Sequence, residues 1–224
     1  MTTPRKRTVV FISGGGSNMM ALVSAAKAGD YPAEIVGVIS DKPDAGGLAK
    51  AAAEGIATYA FPRKDYASKE AHEQAIFEAL DALSPDILCL AGYMRLLSGT
   101  FIQRYEGKMI NIHPSLLPLF PGLHTHQRAI DAGMRIAGCT VHFVTEGMDE
   151  GPVIGQAAVP VLSDDTADTL AGRVLTVEHQ IYPQALRLFA EGKVAMQGGK
   201  AVSSGAATMS TSGAQVISLI GDKG

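Results

Sequence analysis

Two polar side chains stand two residues apart in the segment 111–118, which has the sequence NIHPSLLP. If this segment begins as a strand, the period of two places Asn111 and His113 on one face. An amide beside an imidazole can donate two hydrogen bonds to one oxygen, and the oxyanion that develops during acyl transfer needs such donors. Pro114 favours an extended backbone at His113 and preserves this geometry. The pair predicts an acyl-transfer site, and a structural histidine is the alternative.

A carboxylate that could serve this histidine lies in the polar loop 146–152, with the sequence EGMDEGP. Asp149 in this loop could orient His113 and help to move a proton. The spacing in the sequence does not by itself bring Asp149 to His113. A solvated carboxylate in a turn therefore remains the alternative.

A glycine-rich loop with the sequence SGGGSN occupies residues 13–18. Glycine lets the backbone approach a ligand, and the N-terminus of a following helix offers free N–H groups and a partial positive charge. Met19 stands where a dinucleotide fingerprint needs a third glycine, and Ser17 and Asn18 do not supply the lysine of a P-loop. The loop predicts a site for a single phosphate, and a simple strand-to-helix turn is the alternative.

Apolar runs alternate with helix-patterned segments through the first two thirds of the chain. This alternation is typical of a parallel sheet covered by helices on both faces. After residue 120 the pattern changes. A loop and a helix at 120–138 precede two extended runs, at 139–144 and 153–161. A long helix at 166–190, which Pro183 should kink or break, and a hairpin at 194–202 follow. We expect an α/β fold, with a Rossmann-like, mostly parallel central sheet and an antiparallel C-terminal extension. The expected parallel strands are 8–12, 34–39, 58–61, 86–90 and 109–113.

The composition excludes several classes of protein. A net charge of -3 and a pI of about 6.1 argue against a nucleic-acid-binding surface. The two cysteines, Cys89 and Cys139, lie in apolar runs and are expected to be buried thiols. No apolar run reaches the roughly 18 residues of a membrane span, and no signal peptide is recognisable, so we expect a cytoplasmic protein. The histidines lack partners at zinc spacing, so no metal is expected.

These motifs together resemble the formyl-folate transferase family, and within it the glycinamide ribonucleotide transformylases. The SLLP segment is common to enzymes that act on formyl-folate, whereas SGGGSN and GLHTH are typical of the transformylases. The resemblance extends over about residues 8–193. It rests on the segments 12–18, 90–95, 111–118, 121–126 and 141–152.

The resemblance implies an enzyme that transfers the formyl group of 10-formyltetrahydrofolate to the primary amine of glycinamide ribonucleotide. The products are formylglycinamide ribonucleotide and tetrahydrofolate, in a step of purine (IMP) biosynthesis. Transfer is direct, through a tetrahedral intermediate, without a metal. The implied partners are therefore small molecules, with no nucleic acid and no membrane, and the implied assembly is a monomer or a homodimer.

The resemblance also implies roles for particular residues. Lys69 stands where the family often has arginine, and lysine cannot replace a bidentate guanidinium contact. The implied catalytic residues are Asn111, His113 and Asp149. The implied contacts to the ribonucleotide are Gly16, Ser17, Asn18 and Glu178. The implied contacts to the folate are Lys69, Met94, Arg95, Leu96, Leu97 and Asn111.

The expected organisation is an N-terminal arm at 1–7, a formyltransferase domain at 8–202 and a low-complexity, disordered tail at 203–224 without a catalytic role. Within the domain we expect a phosphate-binding half at 8–105 and a catalytic and folate-binding half at 106–202.

Other functions remain open at this stage. A formyltetrahydrofolate deformylase carries a further domain before its catalytic part, and a tRNA formyltransferase carries one after it. The first strand here starts near residue 8, and only about 30 residues follow position 193, so neither is expected. A non-catalytic protein that binds a phosphorylated ligand is a more remote alternative, because it would not need Asn111, His113 and Asp149 together.

Overall fold

The computed structural model of the protein describes residues 4–205, 208–212 and 215–220. It divides into two compact units, Met1–Ile110 and Asn111–Gly224. The division falls within the strand Met109–His113, a few residues after the expected border between 105 and 106.

The first unit contains a parallel sheet in which the strands lie in the spatial order Ile87–Leu90, Lys6–Ile12, Ala33–Ser40 and Thr58–Ala60. Its central strand is apolar along most of its length, and Val9, Val10, Phe11 and Ile12 are fully buried. Strands buried on both faces have such continuous apolar runs, and the predicted parallel sheet is confirmed. The strands are β1 (Lys6–Ile12), β2 (Ala33–Ser40), β3 (Thr58–Ala60) and β4 (Ile87–Leu90).

A helix follows each of these strands, as the alternating pattern predicts. Ser68 caps the third helix by accepting a hydrogen bond from Ala71 N at 3.1 Å, and that helix ends at Ser84, which has a left-handed backbone before Pro85. The helices are α1 (Ser17–Ala26), α2 (Gly46–Ala53), α3 (Lys69–Leu83) and α4 (Gly99–Arg104), with a 3₁₀ turn at Arg63–Asp65.

The N-terminal arm is shorter than expected, because β1 begins at Lys6 and takes in the last two residues of the segment 1–7. Arg5 Nε donates to Ala33 O at 3.1 Å, and Arg7 Nη2 donates to Leu83 O at 2.8 Å. These guanidinium groups therefore bind backbone carbonyls of the first unit.

The second unit contains antiparallel strands that lie in the spatial order Ile136–Phe143, Val153–Pro160, Gln215–Leu219 and Thr208–Ser212. The expected antiparallel pairing of the C-terminal strands is confirmed, and so is the hairpin, which forms from β8 and β9. The elements of this unit are β5 (Met109–His113), α5 (Thr125–Asp131), β6 (Ile136–Phe143), β7 (Val153–Pro160), α6 (Ala167–Ala190), β8 (Val194–Gln197), β9 (Lys200–Ser203), β10 (Thr208–Ser212) and β11 (Gln215–Leu219).

The segment 203–224 is not structureless, in contrast to the expectation. Strand β11 pairs with β7, and Ile217 and Leu219 are buried. Gly155 on β7 makes this approach possible, because a Cβ there would lie 2.6 Å from Leu219 Cδ2. Composition pointed to disorder, but Ile217 and Leu219 alternate with Ser218 in the period of a strand. Residues 206–207, 213–214 and 221–224 lie outside the described residues.

The long helix α6 continues through Pro183, so a break at this position is contradicted, whereas a kink stays a prediction. Ile181 and Tyr182 before the proline, and Ala185 and Leu186 after it, are fully buried. Burial on both sides of the proline offsets the local cost of a missing backbone donor. Although α6 has 24 residues, it is not apolar enough to span a membrane. No other helix in the described ranges is long and apolar enough either.

Candidate active site

His113, at the end of β5, faces an acceptor at each ring nitrogen. Nδ1 lies 3.4 Å from Asp149 Oδ2, and Nε2 lies 3.0 Å from the backbone oxygen of Phe120. Both side chains are largely enclosed, with 8% of His113 and 13% of Asp149 exposed. The fold thus brings Asp149 to His113, which the spacing in the sequence could not establish.

Local backbone geometry places the Asp149 carboxylate. Asp149 has a φ of 57°, in the left-handed region that aspartate tolerates better than most residues. Its Oδ2 accepts a hydrogen bond from Gly122 N at 2.8 Å. Gly151 must be glycine, because a Cβ there would lie 1.6 Å from Phe143 O. The EGMDEGP sequence therefore encodes a tight loop that holds the carboxylate against His113.

Asn111 is oriented by a second histidine. Its Nδ2 lies 3.2 Å from His142 Nε2, and His142 Nδ1 lies 2.8 Å from Phe143 O. Because a carbonyl only accepts, Nδ1 carries the hydrogen and Nε2 accepts from the amide. Burial lowers the pKa of His142, which favours this neutral form. His142 Nε2 also lies 3.9 Å from Asp149 Oδ1, so His142 and Asp149 belong to one cluster.

The role of His142 was missed in the sequence, where this residue was considered only as a metal ligand. Its position in β6 carried a signal. Thr140 and His142 alternate with the apolar Cys139, Val141 and Phe143, and all five are buried. Buried polar side chains on a strand need a partner, so a polar cluster on that face could have been expected.

The loop between β5 and α5 is fixed by side chains of β6 and β7. Thr140 Oγ1 donates to Ser115 O at 2.7 Å and accepts from Leu117 N at 3.0 Å. Gln156 Nε2 donates to Leu117 O at 2.8 Å. Ser115 Oγ donates to Leu119 O at 2.6 Å, one residue before Phe120. The carbonyl that contacts His113 is therefore held by a hydrogen-bonded loop.

The glycine-rich loop of the first unit leads directly into α1. Gly16 precedes the helix with a φ of 68°, and a Cβ there would lie 2.9 Å from Gly47 Cα. Gly47 N donates to Gly14 O at 3.0 Å, and Lys50 Nζ donates to Gly15 O at 2.8 Å. The loop is thus anchored to α2. Ser17 and Asn18 lie in the first turn of α1, where free N–H groups favour an anion.

A pocket of about 400 Å³ in the first unit is lined by five of the residues predicted to contact folate. Met94 and Leu96 in this lining expose 64% and 66% of their surface. Burial, and secondarily the Asp41 carboxylate, raise the pKa of Tyr93 in the same lining. The pocket lies outside the segment 106–202 that was expected to bind folate. The five predicted residues are Lys69, Met94, Arg95, Leu96 and Leu97.

Glu178, the remaining residue predicted to contact the ribonucleotide, lies in α6 and is 6% exposed. Burial and the charge of Glu178 raise the pKa of the Cys139 thiol, so this cysteine is a poor nucleophile. The contact of Glu178 with a ribonucleotide stays a prediction. In the part of the chain that the structure describes, no three His, Cys, Asp or Glu side chains form a group that could hold a metal ion.

Comparison with known proteins gives consistent matches. Residues 6–186 match the family model described as formyl transferase. The chain is 45% identical to phosphoribosylglycinamide formyltransferase of Escherichia coli K12 over 188 residues, covering 84% of this chain and 89% of that protein. A crystal structure of phosphoribosylglycinamide formyltransferase from Brucella melitensis is 72% identical, with a TM-score of 0.81, covering 83% of this chain and 96% of that one. This similarity confirms the predicted fold class.

The chain also matches part of a much longer protein. It is 50% identical over 192 residues to the trifunctional purine biosynthetic protein adenosine-3 of Bos taurus. That match covers 85% of this chain but only 19% of the trifunctional protein.

Proposed function

Because the chain belongs to the formyl transferase family, we propose that it transfers the formyl group of 10-formyltetrahydrofolate to the primary amine of glycinamide ribonucleotide. The products are formylglycinamide ribonucleotide and tetrahydrofolate, in purine biosynthesis. The observation that carries this proposal is the cluster of Asn111, His142, Asp149 and His113 in the second unit. It supplies an amide donor and a carboxylate-paired imidazole, which are the groups that acyl transfer between two nitrogens requires.

The proposed reaction begins when the amine nitrogen attacks the formyl carbon and forms a C–N bond. The carbonyl electron pair moves to oxygen and gives a tetrahedral intermediate. The attacking nitrogen then loses a proton and the folate nitrogen gains one. The electron pair on oxygen reforms the carbonyl as the bond from the formyl carbon to the folate nitrogen breaks. Atoms and charges balance without a metal or an oxidant.

Asn111 and His113 have distinct roles in this scheme. Asn111 commits one amide hydrogen to His142 and can donate the second to the developing oxyanion. His113 donates to the same oxygen, which then replaces Phe120 O as the acceptor of Nε2. Asp149 orients His113 through Nδ1 and helps to move the proton, through a water molecule.

The first unit supplies separate binding elements for the two substrates. We propose that Gly16, Ser17 and Asn18 bind the phosphate, through free N–H groups at the start of α1. We propose that the pocket of the first unit binds the folate, with the strip 94–97 presenting backbone groups to the pterin ring. Lys69, Asn111 and Glu178 are proposed as further contacts to the substrates. We also propose that the protein acts in the cytoplasm, as a monomer or a homodimer.

The direct test is an assay with purified protein, the formyl-folate and glycinamide ribonucleotide, in which loss of formyl-folate is followed by absorbance. A parallel reaction without the ribonucleotide is the control. Consumption only in the presence of the ribonucleotide is expected. Equal consumption in its absence would identify a deformylase and contradict the proposal. Folate binding without consumption under either condition would indicate another acceptor or a binding protein.

A further inference from the structure

A second buried carboxylate lies beside the proposed folate pocket. Asp41 follows β2 and is 4% exposed. Its Oδ1 accepts a hydrogen bond from the Ser13 hydroxyl, and its Oδ2 accepts from Arg95 Nε at 2.9 Å. Ser13 Oγ in turn accepts from Met94 N at 2.8 Å. Asp41 is therefore connected to two consecutive residues of the strip 94–97.

We propose that Asp41 is a positioning residue that holds the strip 94–97 in the conformation that binds folate. The inference rests on the proposed function, because it assumes that this strip contacts the folate. Asp41 does not line the pocket, and its hydrogen bonds reach the strip through Ser13 and Arg95.

The strip needs side-chain anchors because it belongs to no helix or strand. Residues 93–98 lie between β4 and α4, so neither a sheet ladder nor a helix fixes their backbone. The amide of Met94 is satisfied by Ser13 Oγ. If this bond were absent, the partly buried amide of Met94 would lose its partner, and the strip would lose its attachment to Ser13.

The far end of the strip is anchored by another buried carboxylate. Glu73 of α3 is 5% exposed and accepts hydrogen bonds from Ser98 N at 2.8 Å and from Ser98 Oγ. Ser98 also caps α4 by accepting from Phe101 N at 3.1 Å. The strip 94–97 is therefore held at both ends. Glu73 lines the pocket itself, whereas Asp41 can be substituted without touching the lining.

A carboxylate suits position 41 because both of its neighbours are donors. The Ser13 hydroxyl and the Arg95 guanidinium each need an acceptor, and aspartate offers one oxygen to each. Asparagine could still accept from Ser13, but its NH₂ group cannot accept from Arg95. Alanine removes both acceptors. The three residues therefore form a graded series at this position.

The phosphate loop has anchors of its own. Gly14 O and Gly15 O accept from Gly47 N and Lys50 Nζ of α2. Loss of the Asp41 carboxylate should consequently disturb the strip more than the residues 16–18. This difference separates a positioning role for folate from a general loss of structure.

The experiment measures the affinity of the full-length protein for the dideaza analogue of 10-formyltetrahydrofolate, by calorimetry, and KM for each substrate. Variants Asp41→Ala and Asp41→Asn are compared with the wild type, and thermal unfolding is recorded for each. Asp165→Ala is the matched control. The side chain of Asp165 is 3% exposed and pairs with Arg173 at 2.6 Å. In the same way, the side chain of Asp41 is 2% exposed and pairs with Arg95 at 2.9 Å.

For Asp41→Ala we expect Kd for the analogue and KM for the formyl-folate to rise about tenfold, equivalent to ~1.4 kcal/mol. KM for the ribonucleotide should stay within about twofold of the wild type. Kd and KM of Asp41→Asn should lie between those of the wild type and those of Asp41→Ala. Asp165→Ala should lower thermal stability without changing folate affinity.

A folded Asp41→Ala protein with wild-type folate affinity would overturn the proposal, as would equal increases in KM for both substrates. If Asp41→Ala does not fold, Ser13→Ala carries the test, because it removes the anchor of Met94 while Asp41 keeps its hydrogen bond from Arg95. Unchanged folate affinity in folded Ser13→Ala would then overturn the proposal. Wild-type protein that does not bind the analogue would instead contradict the proposed function.

Discussion

The side-chain amide of Asn111 donates a hydrogen bond to Nε2 of His142, 3.2 Å away. The other ring nitrogen of His142 donates to Phe143 O at 2.8 Å. Both bonds exist together only when the ring is neutral with its hydrogen on Nδ1. The orientation of Asn111 therefore depends on the protonation state of His142.

The first prediction concerns this tautomer. Because burial lowers the pKa of His142, the folded ring should remain neutral, with hydrogen on Nδ1, at pH values where an unfolded histidine is already charged. The unfolded pKa is about 6.5, so the contribution of His142 to stability is complete above that pH and is lost as the pH falls below it. Nitrogen NMR shifts of the ring identify the tautomer directly.

Unfolding free energy measured between about pH 7.5 and 5 provides the second readout of the same prediction. Wild-type protein should lose stability more steeply below pH ~6.5 than His142→Gln, which cannot titrate. An imidazolium signal from folded His142 near neutral pH, or identical slopes in the two proteins, would contradict the prediction.

The second prediction concerns His113. We expect His113→Ala to lower kcat about 100- to 1,000-fold, the range typical for loss of a donor that stabilises an oxyanion. Asp149 retains its hydrogen bond from Gly122 N in this variant, so the loop should keep its conformation. Steady-state kinetics, with circular dichroism and thermal unfolding to verify the fold, provide the measurement. Near-wild-type turnover in a folded variant would remove His113 from the mechanism.

The third prediction concerns Asp149. Asparagine tolerates the φ of 57° and can still accept from Gly122 N, so Asp149→Asn should preserve the loop and remove only the charge. We expect kcat to fall at least about tenfold, because His113 loses its charged partner. Glu150→Gln is the matched control, since this neighbouring carboxylate is exposed and should give kcat close to the wild type. Equal effects of the two substitutions would argue against a specific role.

The parallel half of the fold could be predicted because its signals are local. Continuous apolar runs such as β1 and β4, separated by helix-patterned segments, indicate buried parallel strands. The end of the chain was harder to predict, because β11 depends on a distant strand. Gly155 admits Leu219 to the face of β7, and this complementarity is visible only when both strands are placed.

The candidate site was predictable where function depends on neighbours in sequence. Asn111 and His113 share a strand, so their side chains could be paired from spacing alone. The contacts of His142 and Asp41 join positions that are far apart in the chain. His142 lies 31 residues from its partner Asn111, and Asp41 lies 28 residues from its partner Ser13. Such contacts depend on the register of the folded elements, and a single sequence does not contain that register explicitly.

The fourth prediction separates two neighbouring glycines of the loop before α1. Gly16 has a φ of 68°, and an added Cβ would lie 2.9 Å from Gly47 Cα, a backbone atom that cannot move aside easily. Gly16→Ala should therefore cost at least ~1 kcal/mol of unfolding free energy, since a left-handed backbone disfavours alanine by about that amount. It should also raise KM for the ribonucleotide, because the start of α1 shifts, while KM for the formyl-folate changes less.

Gly15→Ala is the matched control for this prediction. Its φ lies outside the left-handed region, and nothing stands within 4 Å of an added Cβ. Alanine at this position restricts the unfolded chain without straining the folded one, so stability should be unchanged or higher by up to about 1 kcal/mol. Urea unfolding and substrate kinetics of both variants provide the comparison. Equal losses of unfolding free energy and equal rises in KM in the two variants would contradict this prediction. The loop would then require glycine generally for the approach of the ligand. The contact between Gly16 and Gly47 would not determine its conformation.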